Sequence, residues 1–145
     1  MAVGGVVELS GCELRRYTNG ASAVSAVIDL GSESLPAGAT YVVCNSSGAP
    51  ELLARCDGMT NTVNHNGDDA YELFCGGSVV DSFGRVGEDP GSAWTGGGVS
   101  TLDATLRRKC AVVAGDDDSS DPFDPSVEWD AFATDDFSGL GSHCS

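Results

Sequence analysis

The apolar positions of this chain fall in short runs, several of them alternating with polar residues and many rich in valine. The runs recur every eight to fifteen residues between clusters of Gly, Pro, Asn, Asp and Ser. That spacing predicts an all-β sandwich rather than alternating strands and helices, and no segment sustains a helical period. Along residues 12–17, Cys12, Leu14 and Arg16 alternate with Glu13, Arg15 and Tyr17, which predicts a half-exposed strand. Thr18-Asn19-Gly20 turns the chain into a second strand over residues 23–30, and Pro36 and Gly38 mark another tight turn. Residues 40–45, rich in strand-favouring side chains, read as a buried strand. One short helix is expected near 50–56, with Pro50 at its first position and Glu51 near its positive end.

The densest patterning lies between Asn64 and Gly87. Two apolar runs, residues 71–75 and 78–83, flank Gly76-Gly77, and two glycines supply the positive φ angles that a two-residue hairpin turn requires. A regular register predicts Leu73 opposite Val80 and Phe74 opposite Val79, and sets Glu72 across from Asp81 as a like-charge pair. After a glycine-rich loop over residues 84–98, a further strand is expected in the second half of residues 100–113. Residues 115–125 combine like charge with two prolines and read as irregular. Residues 126–132 carry two aromatics, Trp129 and Phe132, that return the tail to the body.

At 145 residues and 14.8 kDa the chain suits a single domain over 1–145, with 116–145 as an acidic loop and C-terminal extension packed on it. A net charge of -15 counts against nucleic acid as a partner, because long-range attraction to phosphates is missing. Residues 116–145 hold nine carboxylates and no Lys or Arg, directly after Arg107-Arg108-Lys109, so a local ion-pair contact is expected. No apolar run is long enough to span a membrane, and residues 1–11 lack the regions of a signal peptide. Six widely spaced cysteines, none in a Cys-x-x-Cys pair, favour disulfides and an extracellular or periplasmic location over buried reduced thiols. Fifteen connectivities are open. The preferred set is Cys44–Cys56 and Cys110–Cys144, with Cys12–Cys75 by elimination.

Candidate chemistry is sparse. Asp116, Asp117, Asp118, Asp121 and Asp124 put five carboxylates into nine residues, a candidate calcium loop set against a solvated acidic loop paired with the basic triplet. Pro122 stands where an EF-hand needs glycine, so that motif is excluded. Asn66-Gly67-Asp68-Asp69 reads as a strand-launching turn. His65 and His143 have no nucleophile at a defined spacing. Trp94 and Trp129 are candidates for a stacking platform for sugar or base, or else anchors of core and loops.

Several segments, in order, resemble a known family. Residues 7–14 (Val-Glu-Leu-Ser-Gly-Cys-Glu-Leu), 66–73 (Asn-Gly-Asp-Asp-Ala-Tyr-Glu-Leu) and 79–84 (Val-Val-Asp-Ser-Phe-Gly) resemble the entry strand and central hairpin of lamin-tail-like domains. These are immunoglobulin-like β-sandwiches of bacterial secreted proteins, also found beside extracellular nuclease domains. Residues 89–94, 105–109, 121–129 and 139–143 continue the likeness. The resemblance implies an immunoglobulin-like β-sandwich lacking the first family strand or strands, which would precede Met1. It leads us to expect a piece of a longer chain or a homodimer covering the open sheet edge. It also implies an accessory module without catalytic residues, serving interaction or targeting with a protein or cell-surface component. The alternative is a calcium-dependent carbohydrate- or nucleic-acid-binding domain, with a nuclease fragment third.

Overall fold

A computed structural model describes residues 5–144, so residues 1–4 of the expected entry and Ser145 lie outside it, and with them part of the signal-peptide reading and of the 1–145 domain assignment. The regular structure of the chain is mostly antiparallel strand. Its first part contains β1 (Val7–Glu8), β2 (Cys12–Tyr17), β3 (Ala26–Asp29), β4 (Ser34–Leu35), β5 (Val43–Cys44), helix α1 (Pro50–Leu53) and β6 (Gly58–Met59). There follow β7 (Ala70–Cys75), β8 (Ser78–Phe83), β9 (Thr95–Gly96), β10 (Val99–Ser100), β11 (Thr105–Arg108), helix α2 (Pro125–Glu128) and β12 (Trp129–Phe132).

The main sheet runs β3-β2-β7-β8, with every neighbouring pair antiparallel. Four small pairings surround it: β1 with β4, β5 with β6, β9 with β10, and β11 with β12. On one face of the sheet Leu14 stands opposite both Ile28 and Leu73, and Cys12 opposite Cys75. Leu9, Cys12, Ile28 and Leu30 are buried there beneath Val7, Leu35, Tyr41, Val43 and Val63. Burial of that apolar area is the main force holding β1, β4 and β5 on the sheet. The other face carries a smaller cluster, with Tyr17, Ala70 and Trp94 buried against Ala21, Val86 and Phe123. Strand β2 is buried at its ends, Cys12 and Tyr17, and half-exposed between them. Even Arg15 is drawn in, its guanidinium stacked 3.4 Å from the Phe74 ring centre and paired with Glu13 at 2.7 Å.

The three disulfides are Cys12–Cys75, Cys44–Cys56 and Cys110–Cys144, the set preferred from the sequence. Several local expectations are corrected. The first helix stops at Leu53, short of residue 56, because Ala54 already takes the cap and Cys56 is tied to Cys44. A second helix stands at Pro125–Glu128, where Asp124 caps its N-terminus by accepting from the Ser126 N–H and Pro125 occupies the first turn. The run 40–45 shortens to β5, which pairs in parallel with β6. The strand expected within 100–113 ends at Arg108, with a turn after Lys109.

The hairpin also departs from the regular register. Phe74 does face Val79, but Leu73 faces Asp81 and Glu72 faces Ser82, so Val80 is the extra residue of a bulge. Regular pairing would leave two carboxylates side by side. The bulge separates them, turning Glu72 toward Tyr17 and Ser119 and Asp81 toward Arg108. Just past β8, Gly84 adopts φ +75°, and a Cβ there would stand 2.8 Å from the Trp94 ring, so the second cluster closes only over glycine.

Candidate functional site

The charged groups of the sheet are engaged by one another. Glu72 is buried, and its two oxygens accept from the Tyr17 hydroxyl at 2.6 Å and the Ser119 hydroxyl at 2.5 Å, which anchors the acidic loop onto the sheet. Arg108 forks onto both oxygens of Asp81 at 2.5 and 2.9 Å and onto Glu128 at 2.6 Å, with its guanidinium beside the Trp129 ring. Arg107 pairs with Asp136 at 2.7 Å, and Lys109 donates to the backbone carbonyls of Ser126 and Val127. The basic triplet thus does meet the acidic tail, but at Glu128 and Asp136 rather than at the Asp116–Asp118 run.

Those acidic residues serve local turns. Asp118 accepts from the Ser120 N–H and hydroxyl, and Asp124 accepts the same two bonds from Ser126; these bonds hold both carboxyls below their ordinary pKa. Asp116 accepts from the Asp118 N–H while its own N–H donates to Asp81. Asp121 shifts the other way, raised by desolvation and by the neighbouring charges of Asp116 and Asp118. Asp117 stands in the same loop. Among the described residues no three His, Cys, Asp or Glu side chains converge as a metal-holding group.

Trp94 and Trp129 do not form a shared platform. Trp94 is 4% exposed and is separated from Trp129 by a string of edge-to-face contacts running through Phe123 and Phe83, so its ring face is closed to a ligand. Trp129 remains half-buried and lines a cleft of about 240 Å³ together with His65, Asp69, Tyr71, Phe83 and Leu106. At its mouth the His65 Nδ1 lies 2.7 Å from the Tyr71 hydroxyl. Desolvation by the surrounding protein lowers the His65 pKa, with Asp69 opposing and Arg16 adding to the effect. Tyr71 then donates to Nδ1 when the ring proton sits on Nε2. Asp69, expected only as part of a turn, is 4% exposed and lies 3.7 Å from the Arg16 Nε. Nothing local in the sequence marked this grouping, because Phe83, Leu106 and Trp129 come from three separate elements. A second cavity, of about 440 Å³ beneath β1 and β4, is lined by apolar side chains and the Cys12–Cys75 bridge.

All three tyrosines resist ionisation. Burial, reinforced by the Glu72 carboxylate, pushes Tyr17 up to about 12. Burial likewise pushes Tyr71 up to about 12, with Arg16 opposing and Asp69 adding, and Tyr41 is raised by burial and by Glu33, Asp57 and Asp29. Because the folded values exceed the ordinary value of about 10, the protonated phenols stabilise the fold fully below that pH. The contribution is lost as pH rises from about 10 to about 12. Absorbance titration is expected to show the phenolate signal rising together with loss of near-ultraviolet circular dichroism. A tyrosine titrating near 10 in a chain that keeps its tertiary signal would contradict the burial assigned to it.

Comparisons with protein-family models, with curated proteins and with solved structures found no match for this chain.

Proposed function

We propose that this chain is a non-catalytic interaction or targeting module of a secreted or cell-surface protein, a lamin-tail-like domain of immunoglobulin-like sandwich type. The observation that carries this reading is the deployment of its ionisable groups. Arg108, Glu72, Asp81, Glu128 and Tyr17 hold strands and loops together, and His65 and His143 bond Tyr71 and the Val112 carbonyl rather than a nucleophile. Three disulfides, with no helix among the described residues long and apolar enough to cross a membrane, are compatible with an extracellular or periplasmic location. Nucleic acid is a poor partner, since net charge is -15 and the basic triplet is internally paired.

Nuclease and phosphodiesterase assays with magnesium and with calcium test the reading, and no turnover above buffer is expected. Turnover that survives repurification and is lost on substitution of a residue of this chain overturns it. The same samples report on calcium, since in this reading thermal midpoints with calcium and with chelator coincide.

A further inference from the structure

We infer that the cleft between β7, β8, β11 and β12 is a binding site for one neutral, hydroxylated ring of monosaccharide size. This rests on the reading of the chain as a binding module and names the class of ligand that the module takes. The wall is aromatic, formed by Tyr71, Phe83 and Trp129, with the planes of the last two 86° apart. A volume of about 240 Å³ lies below the ~300 to 1,000 Å³ of clefts that take drug-sized ligands, which limits the occupant to a single ring.

The polar groups narrow the class further. Asp69 lines the cleft with a side chain 4% exposed. Its Oδ1 accepts from the Asn19 N–H at 3.2 Å, whereas among the described residues Oδ2 makes no hydrogen bond and has only Arg16 Nε at 3.7 Å. Arg16 Nε is buried without a hydrogen-bond partner, while Nη1 of the same guanidinium donates to the carbonyls of Thr62 and Asn64. The carboxylate is thus balanced in charge, and its Oδ2 is free to accept a hydrogen bond from a ligand. A cationic ligand would add a second positive charge beside Arg16. A hydroxyl donates to the carboxylate without adding charge and accepts a bond at the same time. His65, whose Nδ1 is engaged with the Tyr71 hydroxyl, offers Nε2 as that donor when the ring proton sits there. A ligand with an apolar face for the aromatic wall and hydroxyls on its rim meets all of these requirements, and that is the amphipathic shape of a sugar ring.

The test is a nuclear magnetic resonance titration of the full chain with a panel of neutral monosaccharides, with choline and a linear polyol as comparison ligands. At least one sugar is expected to shift the His65 ring and Trp129 indole signals saturably, with the Trp94 indole unchanged. Trp129→Ala is expected to weaken that binding about tenfold or more, as loss of a central aromatic contact does. Trp129→Ala also removes a packing contact, so His65→Ala, at an exposed position, serves as the second variant and is expected to weaken binding several-fold while the chain stays folded. The proposal fails if no sugar produces saturable shifts at these signals. It fails also if choline binds better than every sugar, or if binding survives both substitutions. Failure here leaves the non-catalytic reading standing, because that reading falls only to turnover in the enzymatic assays.

Discussion

Replacing Cys12 and Cys75 together by alanine is expected to lower the unfolding free energy by more than about 4 kcal/mol, the largest loss among the three bridges. The pair is 63 residues apart in sequence, and the entropy that such a cross-link removes from the unfolded chain corresponds to about 4 kcal/mol. Loop length alone does not set this bridge apart. The Cys110–Cys144 loop, at a separation of 34, comes within about 0.5 kcal/mol of it, because closure entropy grows only with the logarithm of length. Burial makes the difference. Cys12 lies opposite Cys75 between the two central strands and packs with Leu9, Ile28 and Leu30, so truncation also leaves a void in the first core. Cys110 and Cys144 are both exposed, and the tail they pin is held independently by Arg55 on the Phe137 carbonyl, Thr40 on the Gly141 carbonyl and Arg107 on Asp136. Urea unfolding of the three double-alanine variants without reductant measures the ranking, with a steeper denaturant slope expected wherever a cross-link is gone. If the Cys12/Cys75 variant loses no more stability than the Cys110/Cys144 variant, the argument from burial is wrong.

The parts of this fold that were legible in the sequence are those whose cause is local. The alternation in residues 12–17 marked β2 to the residue, and Gly76-Gly77, with φ of 61° and 90°, marked the hairpin turn because few other pairs reach those angles. The register beyond that turn was not legible. The bulge at Val80 answers to Tyr17, Arg108 and Ser119, which lie between 27 and 55 residues from the groups they meet on β7 and β8. The helix at Pro125–Glu128 did carry a local signal, Asp-Pro before a polar turn, but the surrounding charge and Pro122 argued for irregular chain. Two-residue strands such as β5, β6, β9 and β10 are too short to show a period, and tertiary pairing creates them. The candidate cleft falls in the same class. Its carboxylate was visible as one half of an Asp-Asp pair, but the aromatic wall facing it is assembled only when β12 returns to β11 beside β8.

Arg108→Ala is expected to cost about 2 to 3 kcal/mol, because one guanidinium holds three elements together. Its Nη1 and Nη2 clamp Asp81 on β8, its Nε and Nη2 bind Glu128 at the end of α2, and its own backbone lies in β11. Asp81 carries the connection further, accepting from the Asp116 N–H at the start of the acidic loop. The arginine side chain is 15% exposed, so its removal strands two carboxylates that face each other without a counter-charge. A fully buried pair broken in this way loses about 3–5 kcal/mol. The smaller figure applies because Asp81 and Glu128 keep 30% and 33% of their side-chain surface, through which water screens them. Arg108→Lys is expected to recover less than half of the loss, since an ammonium cannot fork onto both oxygens of Asp81 while reaching Glu128. Adding Asp81→Asn and Glu128→Gln to Arg108→Ala is expected to restore much of the stability, because the neutral amides no longer repel. Urea midpoints of these variants at low and high salt measure each step. A loss below about 0.5 kcal/mol for Arg108→Ala would place this cluster with exposed surface pairs and remove it as the tie between the sheet and the acidic loop.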